Sequence, residues 1–173
     1  ALALAMLAPQ AGALYNVSSW AENSIAAAQE AGLTPNAFEA CDAKEPITRA
    51  EFCTIAVNAY KAVSGKAVFV SGQKPFDDCD NPSVTAAYLL GIVKGTGDGK
   101  FNPDKPITRQ DLCVMFNNIL TAAETNAPAL AGEACVEDYM DAAQVSDYAY
   151  DPMVTMVDYA IVNGISIGSS PAI

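Results

Sequence analysis

Apolar positions in this chain recur with helical spacing, and the same pattern comes round about every sixty residues. Phe52, Ile55, Ala56 and Ala59 fall on one face of a helix, and Leu112, Met115, Phe116 and Ile119 fall on the same face of another. Ahead of each lies a second apolar stretch: Trp20 to Ala28, ending near Gly32-Leu33, and Pro82 to Leu90, ending at Gly91-Ile92-Val93. A glycine at each end suits a helix C-terminus. The pattern predicts a helix–loop–helix unit used repeatedly. A third unit is expected from Tyr139-Met140-Asp141, with a helix over about Met153 to Asn163 that ends at Gly164-Ile165. The expected bounds are residues 14–62, 75–121 and 137–173, the last unit being incomplete because no third copy of the motif described next follows it. The intervening stretches, about 62–75 and 121–136, are rich in Ala, Gly, Ser and Pro. They are too short to separate independent domains, so the units should pack on one another.

Ile47-Thr48-Arg49-Ala50-Glu51 and Ile107-Thr108-Arg109-Gln110-Asp111 open the second helix of each unit, and Arg49 and Arg109 are the two arginines of the chain. Thr48 with Glu51 has capping-box spacing, and Thr108 with Asp111 repeats it with a shorter acid. Ile47 with Phe52 and Ile107 with Leu112 stand at hydrophobic-staple positions. Pro46 and Pro106 hold the chain extended as it approaches the helix. The arginine has no such explanation. The helix dipole disfavours a cation at the first helical position by a few tenths to about 1 kcal/mol. A helix N-terminus carrying an arginine does, however, suit an anion. The structural alternative is an ion pair between each arginine and one of the many acids.

Charge makes that local cation more telling. There are 9 Lys and Arg against 20 Asp and Glu, a net charge of −11. Such a chain does not hold nucleic acid or an anionic membrane by its overall field, so an acidic ligand must be caught by individual cationic side chains. The absence of histidine removes His-based triads and His-ligated zinc, and no spacing singles out a catalytic carboxylate pair. Neither a cofactor nor a metal is expected. The loop Gly95 to Asp104 fails as an EF-hand because Lys94 and Lys105 stand where acids are needed, and reads as a glycine turn leading into an extended stretch.

Cys53 and Cys113 fall four residues after each arginine, among the helix's apolar positions, and should be buried thiols. Cys41, Cys79 and Cys135 leave room for one disulfide. Residues 1–13 read either as the end of a secretory signal, with small residues at Ala11-Gly12-Ala13, or as an apolar helix. No stretch is a convincing membrane span.

The second unit, Phe76-Asp77-Asp78, Gly91-Ile92-Val93-Lys94-Gly95, Asp98-Gly99-Lys100-Phe101-Asn102-Pro103 and Ile107-Thr108-Arg109, resembles the S-layer homology repeat of bacterial surface proteins. The first unit matches at Trp20-Ala21 and Ile47 to Phe52, the third at Tyr139-Met140-Asp141, Tyr148-Ala149 and Asn163-Gly164-Ile165. Cys79 stands where the second unit's tryptophan belongs, and Tyr148 where the third's does.

The resemblance implies a mainly α fold, a pseudo-threefold helical bundle with prongs. It implies a non-catalytic module, secreted to the cell surface, that anchors a protein to the cell wall. Grooves between repeats would hold a secondary cell-wall polysaccharide bearing a pyruvate ketal. Arg49 and Arg109 would grip its carboxylate, Asp77 and Asp141 would bond sugar hydroxyls, and backbone around Gly95 would line the groove. Trp20 would be either a stacking platform or, preferably, a core residue. A second reading is a self-assembling subunit of a surface layer or filament, with apolar helix faces left for a partner chain. A third, a wall hydrolase, lacks any catalytic constellation here.

Overall fold

The computed structural model describes residues 16–34, 41–124, 136, 139–163, 165–167 and 170–172. Residues 1–13 and Cys135, about which expectations were set out above, lie outside them. The chain is mainly helical. Its elements are α1 (Glu22–Glu30), α2 (Arg49–Ser64), α3 (Pro82–Leu89), α4 (Arg109–Ala122) and α5 (Asp147–Asp158), with a single 3-10 turn at Ala142–Gln144. An antiparallel hairpin, β1 (Ile165–Ile167) with β2 (Ser170–Ala172), follows α5, with Ser166 opposite Pro171. Nothing in the apolar pattern had pointed to it.

Local chemistry explains the helix starts. Thr48 caps α2: its hydroxyl accepts from the Glu51 N–H at 3.2 Å while the Glu51 carboxylate accepts from the Thr48 N–H at 2.8 Å. Thr108 caps α4 through the Asp111 N–H at 3.2 Å. Asn81 caps α3, which has Pro82 at its first position.

The helix ends repeat one geometry. Gly32 and Gly91 take φ of 68° and 73°. The N–H groups of Leu33 and Ile92 bond back to the carbonyls of Ala28 and Ala87, both at 2.9 Å. The third copy is displaced from its expected place. α5 starts at Asp147 rather than Met153, because Pro152 is accommodated within it rather than ahead of it. It closes at Ala160, φ 54°, with Ile161 N–H on the Met156 carbonyl at 2.9 Å. The left-handed position is therefore filled by an alanine, four residues before Gly164, at a cost of about 1 kcal/mol.

Packing crosses the sequence repeat. α2 lies against α3 and α4, and α4 against α5. One apolar cluster gathers Phe52, Cys53, Ala56, Val57 and Tyr60 of α2 with Phe76, Val84, Ile92, Phe101 and Met115. A second lies between α4 and α5, around Cys113, Val136, Met153 and Met156. Cys53, Cys79 and Cys113 are all buried. Burial pushes the Cys53 thiol up to about 12, against the lowering effect of the Arg49 charge. No residue of α1 is fully buried, although Ile25 and Ala28 are half-buried. Within each of the first two repeats an asparagine holds the end of the first helix: Asn58 donates to the Leu33 carbonyl at 3.3 Å and Asn118 to that of Ile92 at 3.0 Å.

The two Ile-Thr-Arg segments lie side by side. Thr48 and Pro106 form an antiparallel bridge, with the Ile107 N–H on the Ile47 carbonyl at 3.0 Å. The Arg49 and Ala50 N–H groups, the first two donors of α2, bond to the carbonyls of Lys105 and Pro103, each at 3.0 Å. This joint brings Arg49 of the first repeat over the loop of the second.

Candidate functional site

Arg49 is half-buried. It forms no ion pair with any described carboxylate; the ion pairs among described residues are Lys66–Glu124 and Lys74–Asp80. Its Nε donates to the Phe101 carbonyl at 3.0 Å and its Nη2 to the Lys94 carbonyl at 3.3 Å. The guanidinium carbon sits 4.6 Å from the centre of the Phe101 ring. These contacts fix the side chain by neutral groups, so its charge is not cancelled and its other N–H groups stay available. Beside it lies the N-terminus of α2. Its donors are spent on Lys105, Pro103 and the Thr48 hydroxyl. An anion beside Arg49 meets the guanidinium, not the helix backbone.

That guanidinium borders a groove of about 630 Å³, also lined by Gly91 to Thr96, Asp111, Asn118, Tyr148 and Pro152. The groove thus joins all three repeats. Lys94 adds a second cation at its exposed edge. Gly95 is required by packing: a Cβ there would lie 2.7 Å from the Phe76 ring and 2.8 Å from the Lys100 carbonyl. The loop beyond is pinned by Asp78, whose two oxygens accept from the Phe101 and Asn102 N–H groups at 2.8 Å each. Those backbone bonds hold the Asp78 carboxyl below its ordinary range.

Tyr148 completes the wall. Its hydroxyl donates to Asp111 at 2.8 Å, while the other Asp111 oxygen accepts from the Thr108 hydroxyl at 2.7 Å. Asp111 therefore departs from Glu51: it spends its second oxygen on Tyr148. Burial, then the Asp111 carboxylate, push the Tyr148 phenol up, and Arg49 acts in the opposite direction across the groove. Tyr148 keeps a 57% exposed surface facing solvent.

The other expected site residues lie apart from this groove. Arg109 is exposed and reproduces the Arg49 arrangement one repeat on, its Nη2 donating to the Asn163 carbonyl at 2.9 Å. No described residue accepts from its backbone N–H or from that of Gln110. Asp77 is exposed beside Gly99, to whose carbonyl its N–H donates at 2.9 Å. Asp141 is half-buried ahead of the 3-10 turn, with the Gln144 N–H on its carbonyl at 2.9 Å. Trp20 is 84% exposed, which overturns its preferred reading as a core residue; it borders a shallow groove with Val17, Ser24 and Ala43.

Asp78, Tyr148 and Asp111 were missed as partners of the site. The spacing had held a clue to the first. Phe76-Asp77-Asp78 aligns with Tyr139-Met140-Asp141, which makes Asp78, not Asp77, the counterpart of Asp141.

No described helix is long and apolar enough to cross a membrane. Residues 77–113 match the S-layer homology domain. A stretch of 109 residues is 29% identical to an endoglucanase of Bacillus sp. (strain KSM-635), over 59% of this chain and 12% of that protein. The matched stretch is thus a small part of the relative's length. The motif residues, the loop they build and the family match converge on residues 77–113, which match the S-layer homology domain, a module associated with the cell wall at the cell surface.

Proposed function

We propose that the chain, secreted to the cell surface, anchors its parent protein to the wall by binding an anionic secondary polysaccharide, and that the Arg49 groove is the principal site. The observation that carries this reading is the guanidinium itself. It is oriented by two carbonyls and a ring, has no carboxylate partner among the described residues, and borders a groove of saccharide size beside Lys94. A carboxylate fixed on a sugar, as in a pyruvate ketal, suits a charge held in this way. The sugar ring would lie against the face of Tyr148. Arg109 is the second site. The helices form a pseudo-threefold bundle in which each arginine reaches the loop of the repeat that follows, as Arg49 reaches Lys94 and Arg109 reaches Asn163. Asp77, Asp141 and Trp20 make secondary contacts to longer polymer. The relative's 12% coverage suits a small attachment module in a larger enzyme.

Titration calorimetry with a monosaccharide bearing a pyruvate ketal, and with the same sugar lacking it, tests this reading. Binding of the ketal sugar, at least about tenfold weaker in Arg49→Ala and at least about tenfold weaker without the ketal, is expected. Equal affinity for both sugars would contradict the assignment of Arg49 to the carboxylate.

A further inference from the structure

The first two repeats differ in what fills the space ahead of the capped helix. Phe101 precedes Thr108 by seven residues, and Cys41 precedes Thr48 by the same number. The backbone confirms the equivalence: the Glu45 N–H bonds to the Asp42 carbonyl at 3.1 Å as the Lys105 N–H bonds to that of Asn102 at 3.2 Å. In the second repeat the Phe101 ring is fully buried, 5.1 Å from the Phe76 ring. In the first repeat Cys41 stands in its place, and Val17 stands where Phe76 would be. The result is an open, mostly apolar groove of about 490 Å³, bordered by Ile25, Cys41, Ile47 and Ile55. That is the size of a ligand site. Asp42, Glu45 and Glu51 stand around it.

The chain also carries a ring without a pocket. Phe69 is 87% exposed in the segment between α2 and α3, next to Val68, which packs on the main core. In its own chain it is tied between Gly65, which caps α2, and the buried Phe76. From residue 52 to residue 76 there is no acid, but Lys61, Lys66 and Lys74 are present. In a chain of net charge −11 this is its basic stretch. Lys66 and Lys74 pair with Glu124 and Asp80, both 79% exposed, which are easily exchanged partners. The apolar anchor and the flanking charges are therefore complementary to the groove around Cys41 and its acids.

We infer that the first-repeat groove receives Phe69 from a second copy of this chain, giving a head-to-tail contact in which the ring takes the place that Phe101 fills in the second repeat. This deepens the self-assembling reading of the chain and uses a surface separate from the Arg49 groove. Because ring and groove lie on different parts of the chain, a one-way contact of this kind is heterologous and builds open chains or closed rings of molecules.

Sedimentation velocity across a concentration range, with two variants, tests the inference. Phe69→Ser alters an exposed side chain and leaves the core intact. Cys41→Phe fills the groove as Phe101 does. The wild-type protein should associate as its concentration rises. Phe69→Ser should weaken association by about thirtyfold or more, the effect of losing a hot-spot side chain, and Cys41→Phe should do likewise. An equimolar mixture of the two should form dimers that grow no further, since one supplies the groove and the other the ring. A wild-type protein that stays monomeric, a Phe69→Ser protein that associates like wild type, or a mixture that fails to pair would each overturn it. Failure here leaves the wall-binding reading standing, because neither variant touches Arg49.

Discussion

At the scale of single residues, the arginine motif shows how far a sequence argument reaches. Arg49 stood out because capping and stapling explain every neighbour but not it. What sequence could not show is that Phe101 and Lys94, some fifty positions later, would hold it with backbone carbonyls rather than side chains. Carbonyls carry no residue-specific signature. Asp78 was hidden for the same reason, since its partners are the N–H groups of Phe101 and Asn102. The Asp78 carboxyl is depressed on folding, so its contribution is present above the ordinary carboxylate range and is lost as pH falls through its folded value. Urea unfolding between neutral and acid pH should show stability falling on the acid side, and Asp78→Asn should flatten that limb. Gly95 gives a steric test. A methyl group there meets the Phe76 ring and the Lys100 carbonyl, so Gly95→Ala should cost about 1–3 kcal/mol in denaturant unfolding.

At the scale of elements, the parts written locally were legible. Both Thr-x-x-acid caps form, and α2, α3 and α4 begin at the residues their caps dictate. Thr48→Ala removes the hydroxyl that takes the Glu51 N–H and should lower thermal stability by about 1 kcal/mol. Signals depending on distant backbone were not legible. The bridge of Thr48 to Pro106 spends the α2 donors, and only the paired geometry reveals it. α5 was misplaced because a proline reads as a boundary and a glycine as a stop, whereas here Pro152 lies inside the helix and Ala160 closes it. Asp111 illustrates a change of role within a fixed motif. One methylene shorter than Glu51, it turns an oxygen to Tyr148 and helps to build the groove wall.

At the scale of the molecule, the repeat was plain from its sixty-residue period, but helices pack across its boundaries more than within them, α2 on α3 and α4 on α5. That arrangement is why the site draws on three repeats at once: an arginine from the first, a glycine loop from the second, a tyrosine from the third. The Arg49 groove is therefore not contained in any one repeat. The most direct measurement of the central claim is co-sedimentation of the purified chain with cell-wall sacculi, for wild type, Arg49→Lys and Arg49→Ala, with unfolding curves recorded alongside. Wild type should sediment with the wall. Arg49→Lys, which keeps the charge but loses the fork, should bind more weakly, and folded Arg49→Ala, left with the Arg109 site, should sediment least. Full sedimentation of folded Arg49→Ala would contradict the account.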